Sequence, residues 1–234
     1  MKKILIVLSI LFFLGCLTLF FGNSVFILFE SDEPSISIGT PASGSLINGK
    51  RLPTRGENFV SYSYLGALLG RNSVHHKVRD TVLDTYAELA TRFPDKTFVY
   101  GETGWPGGGS FAPHKTHQNG LIVDFMVPVI KDGRSVPLPA SVFNKWGYGI
   151  DFNRQGGYKN YQIDFEAMAA HIGILALTAQ KHGLRVSRVI FAPDLQPLLF
   201  ETDAGRLIKG RIAFSRNPSW VRHDDHYHVD FEIR

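Results

Sequence analysis

The sequence predicts an α+β domain, a small and mostly antiparallel central sheet with flanking helices, preceded by an N-terminal membrane helix. Three observations carry this expectation. Residues 4–21 form an almost unbroken apolar run. Apolar side chains recur at helical spacing in two later stretches, 74–93 and 165–179. Four short β-rich stretches, 97–100, 121–129, 186–191 and 227–233, are interspersed with them.

The apolar run follows Lys2 and Lys3, is interrupted only by Ser9, Gly15, Cys16 and Thr18, and is extended by residues 25–29. About 20 apolar residues span a bilayer, and preceding basic residues stay cytoplasmic, so the rest is expected to face outward. Three fates compete: an uncleaved anchor, a cleaved signal peptide and a lipoprotein signal ending at Cys16. No alanine precedes Ala42, and Leu17-Thr18-Leu19-Phe20-Phe21 continues the run past Cys16, so an anchor is expected, with cleavage the second choice. The expected organisation is therefore an anchor or signal over 1–29, an irregular Ser/Gly/Pro-rich linker and approach over 30–58, and the folded domain over 59–234.

Within the domain, Ser73 is expected to cap a helix carrying Val74, Val78, Val82, Tyr86, Leu89, Ala90 and Phe93 before Pro94. Residues 97–100 read as a strand. Residues 101–113 hold five glycines and two prolines, too many for regular structure, and read as a loop. Strand character resumes over 121–129. Phe165, Met168, Ala169, Ile172, Leu175, Ala176 and Ala179 mark a second helix that Gly183 can end. A strand over 186–191, a short helix capped by Asp194 and a closing strand over 227–233 complete the expectation.

The chain has 234 residues, 44% apolar and 20% charged, which excludes disordered and disulfide-dense classes and suits one sizeable core. Its single cysteine lies in the apolar run, leaving the outer part no disulfide and no thiolate. The net charge of +4 is carried by scattered Lys and Arg, which gives no footprint for nucleic acid. Gly107-Gly108-Gly109 lacks a following Gly-Lys-Ser/Thr, and no Gly-x-Ser-x-Gly elbow occurs, so nucleotide and serine chemistry have no support.

Histidines carry the remaining chemistry. His75 and His76, at a helix start, are expected at the surface, and His171 and His182 belong to the second helix. His114 and His117 precede Asp124, and an Asn119-Gly120 hairpin would pair His117 with Ile122 and bring Asp124 to the same face. Asp124 is set among Leu121, Ile122, Val123, Phe125 and Met126, so its buried carboxylate needs a cation or donors. A turn Asp with incidental histidines is the plain alternative for that segment. Further on, His226, His228 and Asp230 alternate with Tyr227, Val229 and Phe231, giving one polar and one apolar strand face, and His223 lies just before them. Two imidazoles and one carboxylate from these segments suit a catalytic zinc ion with a fourth position for water. There is no His-Glu-x-x-His helix.

The stretch from Gly107 through His114, His117 and Asp124, with the distant His223-Asp-Asp-His226-Tyr-His228, resembles the penicillin-insensitive murein endopeptidases from about Ile38 to Phe231. They belong to a wider group of zinc peptidases, including lysostaphin-type enzymes, D-alanyl-D-alanine peptidases and hedgehog-like domains, that share a His-x6-Asp and a terminal His-x-His element. The resemblance implies that fold, Zn2+ as cofactor, and His117, Asp124 and His228 as metal ligands. It implies catalytic roles for His226, His223 and His114: His226 as acid/base, His223 beside the oxyanion, with these two interchangeable, and His114 as an additional active-site histidine. Asp224, Asp225 and Asp230 can each orient an imidazole, but solvent exposure is the expectation for each alone. Trp105 and Phe111 line a groove or simply pack.

The implied substrate is peptidoglycan, cut at the D-alanyl to meso-diaminopimelyl crosslink in the periplasm or otherwise outside the cytoplasm, with the domain anchored in the inner membrane. Membrane contact is expected through the N-terminal segment, with no nucleic-acid or nucleotide partner. A carboxypeptidase trimming terminal D-amino acids and a noncatalytic zinc-containing wall-binding module are the rival expectations.

Overall fold

A computed structural model describes residues 2–234. The architecture is α+β. A five-stranded sheet runs in the order Leu184–Ile190, His226–Ile233, Ile122–Met126, Phe98–Tyr100, Phe59–Ser61. Every neighbouring pair is antiparallel except the last, which is parallel. A smaller antiparallel sheet is built from Gly157–Tyr158, Tyr161–Ile163, Val129–Lys131 and Arg134–Val136.

The two long helices occur near where apolar periodicity places them, His76–Arg92 and Phe165–Lys181, and they pack together against the sheet. Val78, Val82, Tyr86 and Leu89 of the first and Met168, Ile172 and Leu175 of the second are buried in one core. That core meets the sheet face bearing Phe125, Tyr227, Val229 and Phe231. Tyr86 meets Phe125 edge-on at 6.5 Å between ring centroids, and His171 lies 4.6 Å from the same ring. The helices therefore cover the apolar face, and the polar face is left to the loop 101–121 and to Tyr148.

Several local expectations change. Ser73 is not a helix cap: it pairs with Arg51 in a two-residue strand and gives its hydroxyl to the Gly70 carbonyl. The helix instead begins at His76, with the His75 ring accepting from Lys77 N at 3.2 Å. His75 is consequently buried, not exposed, and burial pushes its imidazole pKa down to about 4. Asp194 pairs with Arg222 at 2.8 Å, and the short helix Gln196–Glu201 starts after Leu195.

Within the region expected to be irregular, Ile36–Thr40 and Ser43–Ile47 form an antiparallel hairpin. Its turn is the Pro41-Ala42 pair, and Gly39 in the first strand, at φ +72°, pairs with Gly44.

The N-terminal apolar run is a single helix, Lys2–Ile27, long and apolar enough to cross a membrane. Its apolar side chains are exposed, but Asn23 near its C-terminal end is fully buried against the domain. Asn23 Nδ2 donates to the Leu52 carbonyl at 3.0 Å, and its Oδ1 accepts from Asn72 at 3.0 Å and Arg51 at 3.3 Å. Phe20 meets Tyr64 edge-on at 5.1 Å, and Arg51 lies over Phe26 at 4.7 Å.

Candidate metal centre

Asp124 lies on the central strand Ile122–Met126, and the antiparallel register puts it directly opposite His228 of the closing strand. In that pairing His226 faces Met126 and Asp230 faces Ile122, so His226, His228 and Asp230 share the sheet face that carries Asp124. The expected alternation is therefore observed, although both faces of this strand segment are buried.

His117 reaches the same face by another route. No hairpin forms at Asn119-Gly120, where the chain bends without pairing His117 to Ile122; His117 itself adopts a left-handed φ of +70°. The neighbouring Gln118 N donates to the Pro41 carbonyl, tying the loop to the N-terminal hairpin. Left-handed backbone is uncommon for a residue with a side chain and favours Gly, Asn and Asp, so the sequence pattern gave no sign of it there.

The site has a single recurring geometry. Four imidazoles each hold one ring nitrogen against an outer protein group and turn the other toward Asp124. His117 donates from Nδ1 to the Thr103 carbonyl at 2.9 Å, leaving Nε2 3.4 Å from Asp124 Oδ1. His228 has Nε2 3.1 Å from Asp230 Oδ1 and Nδ1 2.9 Å from Asp124 Oδ1. His226 bonds Asp225 through Nδ1, with Nε2 3.9 Å from Asp124 Oδ2. His114 bonds Glu102 through Nε2, with Nδ1 4.0 Å from Asp124 Oδ2. One carboxylate oxygen thus collects His117 and His228, and the other collects His226, His114 and the Tyr148 hydroxyl at 3.1 Å.

This is the arrangement that metal-binding histidines need, because an outer acceptor fixes the tautomer and leaves a lone pair aimed at the ion. His117 Nε2 is buried and makes no hydrogen bond among the described residues. A buried polar atom without a partner is costly, and a divalent ion answers that cost directly. The donors of His114, His117 and Asp124 lie within 4.8 Å of one another and can hold a metal ion. His228 approaches the same carboxylate from the neighbouring strand, on the same sheet face.

Electrostatics follow the geometry. Burial opposes the Asp124 charge, but His117, His226 and His228 outweigh it and hold the carboxyl well below its ordinary range. Burial lowers the His228 imidazole, yet its contacts with Asp124 and Asp230 raise its pKa to about 9. Burial pushes His223 down to about 4, helped by His226.

His223 is brought into the group, with its ring centroid 4.6 Å from that of His226. Its Nδ1 donates to the Val221 carbonyl at 2.8 Å. All three acids expected at the surface are buried: Asp225 holds His226, Asp230 holds His228, and Asp224 accepts from Phe152 N at 2.6 Å and pairs with Arg222. Phe111 is fully buried and packs 5.6 Å from the His117 ring, whereas Trp105 is only partly buried.

Sequence reading missed Glu102 and Tyr148. Glu102 accepts from Tyr62 at 2.8 Å and also bonds Arg71 and His114. Burial works against its charge, but His114 and Arg71 hold its pKa down at about 2. A lone acid between Gly101 and Thr103 carries no periodic signal, and Tyr148 is distant from every site motif.

A groove of about 790 Å³ between the helices Phe165–Lys181 and Asp203–Ile208 includes none of these histidines.

Imidazoles converging with a carboxylate inside an α+β domain define a candidate metal centre. The chain belongs to the penicillin-insensitive murein endopeptidase family, whose model matches residues 37–233. Comparison with curated proteins gave no match. The family is one of peptidases acting on murein, which places its action outside the cytoplasm.

Proposed function

We propose that this protein is a zinc-dependent endopeptidase that hydrolyses the D-alanyl to meso-diaminopimelyl crosslink of peptidoglycan. The observation that carries the reading is the convergence of outward-tied imidazoles on the Asp124 carboxylate, in a chain of this family. His117, Asp124 and His228 are the ligands we assign, because both imidazoles meet the same oxygen, at 3.4 and 2.9 Å, while His114 and His226 stand 4.0 and 3.9 Å from the other.

The chemistry that a bound zinc ion supplies is polarisation of the scissile carbonyl and acidification of a water. His226 is the proton carrier in this reading. Asp225 fixes its Nδ1 and favours its charged form, so Nε2 is the end free to take the water proton and deliver it to the leaving amine.

His223 does not suit the oxyanion role expected for it. Its one proton in the neutral form is committed to the Val221 carbonyl, and burial keeps it neutral near pH 7. It therefore accepts hydrogen bonds, from water or a substrate N–H. His114, fixed by Glu102, lines the other side of Asp124.

The same reading keeps the N-terminal helix as an anchor. Cleavage after the apolar run would remove Asn23 from a buried network with Leu52, Asn72 and Arg51. Glu30, just beyond the helix, further accepts from Arg51 N at 2.6 Å and pairs with Arg79 at 3.2 Å.

Purified sacculi incubated with the full chain in detergent test the activity. Crosslinked muropeptides are expected to fall to monomers, with His226→Ala and His228→Ala inactive and only His228→Ala losing zinc. Release of terminal D-alanine with crosslinks intact would establish a carboxypeptidase instead. Zinc-loaded wild type that changes neither would leave a noncatalytic wall-binding module.

A further inference from the structure

Tyr148 stands outside every motif, yet its hydroxyl approaches the second oxygen of Asp124 more closely than His226 or His114 does. It lies 3.1 Å from Asp124 Oδ2 and 2.8 Å from Glu102 N. A backbone N–H can only donate, so the phenol oxygen accepts from Glu102 and its single proton is directed to Asp124. We propose that Tyr148 is a positioning residue that holds Oδ2 of Asp124 and leaves Oδ1 as the oxygen that would serve an ion held with His117 and His228. This inference rests on the metal-centre reading above.

Local backbone, space and packing together deliver that hydroxyl. The segment Val142–Gly147 contains Lys145 at φ +52° and Trp146 at φ +57°, consecutive left-handed residues with side chains. Such backbone persists only where its surroundings over-determine it, and it concentrates at functional sites.

Here Asn144 supplies the restraint: its Oδ1 accepts from Ser141 N at 2.8 Å and Gly147 N at 3.0 Å, and its Nδ2 donates to the Pro139 carbonyl at 2.5 Å. Gly101 supplies the space. A Cβ there would stand 2.5 Å from the Tyr148 hydroxyl and 3.1 Å from Asp124 Cβ, so only glycine lets the phenol reach the carboxylate. The Tyr148 ring also packs 4.7 Å from the His226 ring and 5.9 Å from the His114 ring, fixing its approach.

The alternative is a tyrosine that merely fills space. The two roles separate in Tyr148→Phe, which keeps the ring and removes the hydroxyl. Zinc affinity, measured by chelator competition on the full chain in detergent, is expected to fall by about 10- to 100-fold, as for other groups that orient metal ligands. Crosslink cleavage at saturating zinc is expected to lose kcat with little change in KM. Gly101→Ala, which displaces the hydroxyl without altering Tyr148, is expected to shift zinc affinity in the same direction.

Wild-type zinc affinity and kcat in Tyr148→Phe, with an active wild type alongside, would overturn the positioning role and leave the enzyme reading intact. A wild type that neither binds zinc nor cleaves crosslinks would overturn both.

Discussion

His228 and Asp124 face each other across neighbouring antiparallel strands, with His228 Nδ1 2.9 Å from Asp124 Oδ1. They are 104 residues apart in sequence. The strand pairing sets their separation, so these two groups are placed by the sheet rather than by a loop. Asp124→Asn preserves shape but removes the charge that His117, His226 and His228 surround. Zinc affinity should fall at least about 100-fold, beyond what loss of a supporting group produces. Metal analysis of the purified variant checks this, and a full zinc complement would contradict the ligand assignment.

Chelation should abolish cleavage without unfolding the domain. The imidazoles are held by Thr103, Asp225, Asp230 and Glu102, so the site keeps its protein partners when metal is absent. The melting temperature should drop on chelation and recover with added zinc, since a ligand bound only by the folded state stabilises it. Loss of near-ultraviolet circular dichroism on chelation would instead mean that the metal holds the fold.

His171 makes the acid stability of the core predictable. It is hydrogen-bonded to the Tyr227 hydroxyl at 2.7 Å through Nδ1, and burial drives its pKa from 6.5 to about 3. Between those values the unfolded chain binds a proton that the folded chain refuses. The stability held by neutral His171 is therefore complete above pH 6.5 and declines as pH falls toward about 3, by up to ~1.4 kcal/mol per pH unit. His171→Gln keeps an acceptor for Tyr227 and cannot titrate, so urea unfolding of this variant should show a shallower acid slope. Equal slopes would refute the assignment.

The N-terminal apolar helix should behave as part of the domain. Asn23→Leu removes a buried donor and acceptor at once and leaves Asn72 and Arg51 each short of one partner. A loss of about 1–3 kcal/mol is expected, seen as a lower melting temperature in detergent and faster proteolysis over residues 28–35. The mass of the native protein should include Lys2 and Lys3. A mature chain starting after the apolar run would refute anchor retention.

The sequence alone determined the membrane-length segment, the two long helices and most strands of the central sheet. It also supplied the histidines and the aspartate that the structure brings together. These are local or periodic signals: an apolar run, a 3.6-residue period, a two-residue alternation, and a carboxylate set among apolar neighbours. Only the tertiary structure decided how His117 meets Asp124, because a left-handed histidine, not a hairpin at Asn119-Gly120, brings the ring to the carboxylate. Only the fold buried Asp225 and Asp230 behind their imidazoles, and only it brought Glu102 and Tyr148 to the site. Those residues act through contacts made across distant strands and loops, and no spacing along a chain encodes which groups will share one desolvated charge.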